Sequence, residues 1–360
     1  MPGRDIQRFK TSIAGYEAWL RKQLDQIWQK DLNAKHAKMR ESPFVFLRAT
    51  YWRWAETILI LCDDLADAPA VIGVGDIHLE NYGVWRDDEG RLVWGVNDFD
   101  EAAEMPYAVD LVRLATSAIL SQSAKRAARK SICTEILDGY RRGLAKPRPF
   151  TLDEKHMWLR TLFAVKESER RRFWKKMDRL KKDTRVPALY SKWLEAEMPG
   201  DDATIDRFAR RTAGTGSLGR PRYVALATWR GGRLVREAKA LVPSAWLLSH
   251  RQRSPRPSGA LIANGRYRAP DPWYHVDRNV VVRRLSPNAR KIEVFEHAAE
   301  LGRPEMLQAM GYELANVHLG TGDRKKAIEA DLDRRKGKWL VRAAETAAEF
   351  VVRDFEDWTR

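Results

Sequence analysis

The sequence predicts an α+β chain whose larger part is helical, and three observations predict it. Apolar residues recur at helical spacing over most of the 360 positions. Two short stretches alternate at strand spacing across turns. Loops rich in glycine, asparagine or acid stand at the ends of those stretches. With 44% hydrophobic and 32% charged residues, the chain has the balance of a folded protein, and its length allows two lobes with ample core.

Residues 5–33 carry the first helical pattern, through Ile6, Phe9, Ile13, Tyr16, Leu20, Leu24 and Ile27. Ser42 reads as an N-cap with Pro43 at the first helical position, opening a helix to about Leu65. Residues 71–74 form a short buried strand. Tyr82 and Val84, then Leu92, Trp94 and Val96, alternate around the turn Asp87-Asp88-Glu89-Gly90, which makes 82–97 a hairpin. An amphipathic helix follows through Leu111, Leu114, Ala115, Ala118 and Ile119, with Asp110 in its first turn. Two more are expected near 126–144 and 152–182. The loop Gly214-Thr215-Gly216-Ser217-Leu218-Gly219 precedes a second hairpin that turns at Arg230-Gly231-Gly232 and ends near Lys239. Residues 247–272 read as loop and 279–283 as a strand. A helix over 305–319 closes at Gly320, with His318 a capping or packing residue. Amphipathic helices over 324–335 and 339–358 finish the chain.

The net charge is +16, which favours anionic partners such as nucleotides, phosphorylated small molecules or nucleic acid. Residues 166–185 are the most basic stretch, yet Phe173, Trp174, Met177 and Leu180 share one face of it. The plainer reading is a solvated helix with a buried aromatic seam, because no groove-reading motif accompanies the charge. Cys62 and Cys133 cannot make a disulfide framework for this length. The N-terminal residues lack the apolar core of a signal peptide, and the apolar run 58–62 is too short to span a bilayer. A cytoplasmic protein without membrane insertion is expected.

A hairpin brings its ends together, so Asp76, Asn81, Asp98 and Asp100 should converge. Amide and carboxylate oxygens on a rigid base suit a hard cation, and a further carboxylate can take a proton from a hydroxyl. The spacing Asp-x-x-x-x-Asn, then Asp-Phe-Asp after a strand, is that of the protein-kinase catalytic and metal loops. His78, two residues past Asp76, is closer to the form found in aminoglycoside and choline phosphotransferases. The glycine-rich loop leads into strands rather than a helix, and a strand lysine, Lys239, lies twenty residues beyond Gly219. That order argues for a kinase-type phosphate cover rather than a dinucleotide fingerprint. The alternative for Lys239 alone is a snorkelling strand lysine, and the alternative for the acids is a polar surface hairpin.

Taken together, Ser42-Pro43-Phe44-x-Phe46-x-Arg48, Gly75-Asp76-x-His78-x-Glu80-Asn81, Asn97-Asp98-Phe99-Asp100-Glu101 and the 214–219 loop resemble a bacterial family. That family is catalogued as a conserved domain of unknown function and is related to the kinase-like phosphotransferases. The resemblance implies a two-lobed protein-kinase-like fold with a mostly helical large lobe. It also implies circular permutation, since the catalytic loop here precedes the glycine-rich loop. The expected parts are a large lobe over 1–204, a β-rich nucleotide-covering lobe over 205–285, and C-terminal helices over 286–360 returning to the large lobe. It further implies ATP and Mg²⁺ as cofactors and a small-molecule hydroxyl as acceptor. Asp76 and His78 would be catalytic, Asn81, Asp98 and Asp100 would hold the metal, and Gly214, Gly216, Ser217, Gly219 and Lys239 would hold the nucleotide. Asp110 would brace the catalytic loop. Val74 stands where many relatives have histidine, and no helix glutamate is evident to pair with Lys239. Three other functions remain open: a nucleotide-binding pseudokinase, an adenylyl transferase, and a basic nucleic-acid-binding protein.

Overall fold

The computed structural model describes residues 6–122, 126–254 and 256–360. The stretch 1–5, read above for a leader, and position 255 of the loop expected over 247–272 lie outside the described residues. Two helices, α1 (Phe9–Gln23) and α2 (Gln29–Lys38), replace the single run expected over 5–33. The break falls where Trp28 N–H donates to the Gly219 carbonyl at 2.9 Å, a tertiary bond no local pattern announces. The helix expected from Pro43 to about Leu65 is also divided, into α3 (Pro43–Ala49) and α4 (Tyr51–Leu61). Ser42 does cap α3, accepting from Val45 N–H at 3.2 Å. The chain turns at Thr50, whose hydroxyl donates to the Phe46 carbonyl at 2.7 Å.

Strand β1 (Ala70–Gly73) leads to the Asp76 loop, and the hairpin β2 (Tyr82–Arg86) and β3 (Leu92–Val96) forms as expected. Strand β4 (Ala103–Pro106) pairs antiparallel with β1 and feeds α5 (Tyr107–Ser121), buried along nearly its whole length. After α6 (Arg126–Ala145) and the short strand β5 (Phe150–Thr151), the helix expected over 152–182 is divided into α7 (Met157–Leu162) and α8 (Glu167–Asp178). His156 takes a left-handed φ of 59° before α7. Between α7 and α8, Arg290 draws off the Ala164 carbonyl at 2.7 Å. Both features stop a continuous ladder.

Helix α9 (Ala188–Ala196) precedes a five-stranded antiparallel sheet built from β6 (Thr204–Arg210), β7 (Arg222–Trp229), β8 (Gly232–Ala240), β9 (Tyr274–Asp277) and β10 (Val280–Leu285), in the order β6-β7-β8-β10-β9. The loop expected over 247–272 holds two short helices, α10 (Ala245–Ser249) entering it and α11 (Gly259–Ala263) within it. Tyr190 and Leu194 of α9, with Trp28, cover Tyr223, Ala225, Ala238 and Val282 on one sheet face. Met177 of α8, with Phe173, Trp174 and Leu180, covers Val224, Leu226 and Val235 on the other. The seam of the basic stretch is thus packed on the sheet, Met177 buried and Phe173, Trp174 and Leu180 half-buried, while Arg171, Arg172, Lys175 and Lys176 face water. A fully buried apolar side chain such as Met177 contributes about 1.5–3 kcal/mol.

Helices α12 (Val294–Leu301), α13 (Pro304–Gly320), α14 (Lys325–Arg334) and α15 (Trp339–Thr359) return to the main core. That core joins α3, α4, α5, α6, α13 and α15. Among the described residues, no helix is long and apolar enough to cross a membrane.

Candidate functional site

The Asp76 loop is held from behind. Gly75 has a φ of +76°, and a Cβ there would strike the Glu101 carbonyl and the Tyr51 hydroxyl, so only glycine fits. Asp110, fully buried, accepts from the N–H groups of Val74 (2.6 Å) and Gly75 (3.0 Å). His318 Nε2 lies 3.1 Å from Asp110, and its Nδ1 lies 2.8 Å from the Tyr140 hydroxyl. The histidine read as a packing or capping residue therefore orients the aspartate that braces the loop. Asn81 then joins the two acidic segments, its Nδ2 donating to the Asp76 carbonyl at 3.1 Å and the Asp98 carbonyl at 3.0 Å.

Asp76 pairs through Oδ1 with Arg113, a fully buried residue one turn beyond Asp110 on α5. Burial raises the Asp76 pKa, with Arg113 opposing. His78 lines the same space, and its Nδ1 accepts from Glu80 N–H at 3.1 Å. Burial, then Arg48, Arg113 and Lys291, push its pKa well down, so the ring is neutral with its proton on Nε2. Glu80 is turned to structure, pairing with Arg48 and accepting from Val294 N–H at 2.7 Å.

Lys239, 2% exposed on β8, reaches Asp98 at 3.5 Å and also pairs with Asp100. The partners sought on a helix are the two aspartates of the acidic loop. Burial opposes the charge on Asp98, but Lys239, Lys291, Arg283 and Arg222 hold its pKa far below the ordinary range. For Asp100, burial and the neighbouring Asp98 raise it. Asn81 Oδ1 and Asp100 Oδ1 are buried and accept no hydrogen bond from the described residues. No three His, Cys, Asp or Glu side chains among those residues gather as a ready metal cage. The oxygen donors that do converge are two carboxylates and one amide.

The glycine-rich loop joins β6 to β7 and lies over Asp76. A Cβ on Gly216 would stand 3.6 Å from Asp76 Oδ2 and 3.3 Å from the Arg48 carbonyl. Lys35 of α2 donates to the Gly216 carbonyl at 2.9 Å, and Ser217 Oγ accepts from Arg222 at 2.7 Å. Gly214, Gly216 and Ser217 line a cleft of about 530 Å³ with Asp76, His78, Asn81, Asp98 and Asp100. Gly219 does not share it. That residue (φ +93°) turns toward Leu32, and Trp28 takes its carbonyl. Lys239 is beneath the cleft wall, reaching it through the aspartates.

Sequence reading missed Arg113, Lys35 and Glu237. Arg113 left one signal, a charge set among Leu111, Val112, Leu114 and Ala115 on an apolar helix.

The model of a family described as uncharacterised protein conserved in bacteria (DUF2252) matches residues 28–207 and 199–360, and the chain belongs to that family. No curated protein and no solved structure matches the chain.

Proposed function

We propose that this family member is an ATP- and Mg²⁺-dependent phosphotransferase acting on a hydroxyl of a small molecule, on a circularly permuted kinase-like fold. One observation carries the reading: the Asp76 loop, the Asp98 loop and a glycine-rich loop meet in one cleft. The sheet order supports it, since the glycine-rich loop joins the first two strands and Lys239 stands on the third, as in protein kinases. In this reading β6 to β10 form the nucleotide-covering lobe of 205–285. The helices of 1–204 and 286–360 form the large one.

Asp76 Oδ2 would take the proton of the acceptor hydroxyl as that oxygen attacks the terminal phosphorus. The bond from phosphorus to the leaving diphosphate oxygen breaks, and backbone N–H groups of the glycine-rich loop meet the developing charge. Asn81, Asp98 and Asp100 fit Mg²⁺, because Asn81 Oδ1 and Asp100 Oδ1 are buried hard donors without a hydrogen-bond partner, Asp98 adds a carboxylate beside them, and water and phosphate oxygens complete such a shell. When bound, the ion supplies charge compensation to the phosphoryl oxygens. His78, neutral, offers a hydrogen bond from Nε2 rather than acid–base work. The second reading, a nucleotide-binding module without turnover, is favoured by one contact: Gly216 lies against the free oxygen of Asp76.

Thermal unfolding tests the site. ATP with Mg²⁺ should raise the melting temperature of the wild type by several degrees, and Asp98→Ala should lose that rise. No rise with ATP or GTP, with or without Mg²⁺, would sink the phosphotransferase reading. Transfer of label from the α- rather than the γ-phosphate would turn it into adenylyl transfer.

A further inference from the structure

Two residues before Lys239 on the same face of β8 stands Glu237, opposite Arg283 on β10. Glu237 is fully buried and accepts from Arg222 at 2.7 Å, from Arg283 at 2.8 and 2.9 Å, and from Arg211. Burial opposes its charge, but Arg211, Arg222 and Arg283 keep it well below the ordinary glutamate range. One carboxylate cannot neutralise three guanidiniums. With Lys239 and Lys291 added on one side and Asp98 and Asp100 on the other, five cations face three carboxylates. Arg211, Arg222, Arg283 and Lys291 all line the cleft, and Arg211 Nε is buried without an acceptor.

Most of the apolar remainder of this sheet face is already taken; Val281, beside Lys239, instead lines a second pocket of about 230 Å³ with Phe99 and Tyr274. Val224, Leu226 and Val235, farther along the strands, are covered by Met177 and its neighbours on α8. A base entering there would have to displace the chain's own side chains. What the cleft offers a ligand is charge, and guanidinium forks match phosphate oxygens in pairs. At the rim Phe295 is 98% exposed, a ring face without hydrogen-bonding groups that any base can stack on.

We propose that the cleft recognises its phosphoryl donor by the polyphosphate chain and not by the base, with Arg211, Arg222 and Arg283 forming the phosphate subsite. The proposal rests on the phosphotransferase reading and narrows it. The donor class is any nucleoside triphosphate, and inorganic tripolyphosphate shares its binding determinants.

Isothermal titration of the full chain with ATP, GTP, UTP and inorganic tripolyphosphate, each with Mg²⁺, tests this. The four dissociation constants should agree within about threefold, and Arg283→Met should weaken all four together by about tenfold. If Arg283→Met does not fold, Arg211→Ala and the wild-type series decide. One nucleotide binding tenfold tighter than the rest, or nucleotides binding where tripolyphosphate does not, would overturn base-indifferent recognition and leave the phosphotransferase reading standing. A folded variant with wild-type affinity for tripolyphosphate would remove the arginines from the subsite. Silence from all four ligands would end both.

Discussion

The two oxygens of Asp76 have different neighbours, and its chemistry follows from that. Arg113 holds Oδ1, while Oδ2 faces the cleft below Gly216. The first contact fixes the carboxylate; the second leaves an oxygen free to accept a proton. Burial makes it a stronger base than a solvated aspartate, against the pull of Arg113. Asp76→Asn should therefore keep the Mg²⁺-dependent melting shift with ATP while lowering phosphoryl transfer, to an acceptor or to water, by roughly 10²–10⁴-fold. Wild-type turnover in a folded Asp76→Asn protein would remove the residue from catalysis. Asp76, Asn81, Asp98 and Asp100 were legible because a single hairpin brings them together. Arg113 was not, because what it meets lies 37 positions away across a tertiary contact.

At the scale of elements, α2 and the glycine-rich loop are tied by Lys35, which is 4% exposed and donates to Gly216. Burial, then Arg220, lower its pKa to about 7, while Glu17, Glu101 and Asp76 pull the other way. Glu101 sits beside it in the same wall, raised to about 7 by burial, with Arg220 and Ala245 N–H opposing. The two groups act on stability in adjoining windows. The unfolded chain binds more protons at Lys35 between pH 7 and about 10.4, so stability rises with pH there. The folded chain binds more at Glu101 between about pH 4.3 and 7, so stability falls as pH rises through that range. Urea unfolding from pH 5 to 10 should show a shallow minimum near neutrality. Lys35→Met should flatten the alkaline limb and Glu101→Gln the acid one; unchanged limbs would place both charges outside the folding equilibrium. The same interface explains which elements were misjudged. Helix breaks at 24–28 and at 163–166 come from backbone groups claimed by the distant partners Gly219 and Arg290, and beside the break at Thr50 the Leu47 carbonyl is taken by Arg113 at 3.0 Å. Where local signals sufficed, as at the Ser42 cap and the 82–96 hairpin, the elements stand where the sequence put them.

Over the whole molecule, the segments that meet at the cleft come from opposite ends of the fold. Asp76 and Asp98 stand on the helical part, and the glycine-rich loop and Lys239 on the five-stranded sheet. Helices α1 and α15 pack together, with Phe9 and Trp358 rings 5.6 Å apart, so the first and last helices lie side by side. The +16 charge offers a competing partner, nucleic acid, and the exposed cations of α8 are where it would land. Hydrogen exchange separates the two. A ligand held between sheet and helices should slow exchange in 74–82 and 96–101 and equally in 211–222 and 236–241, by up to about a hundredfold at ATP and Mg²⁺ a hundred times above the dissociation constant. Helix α14, which does not line the cleft, should keep its rates. Protection confined to α8 on adding an oligonucleotide, and absent from the cleft segments with ATP, would move function to the basic surface. Protection shared by both halves would mean that one small ligand bridges them, as the proposed phosphoryl transfer requires.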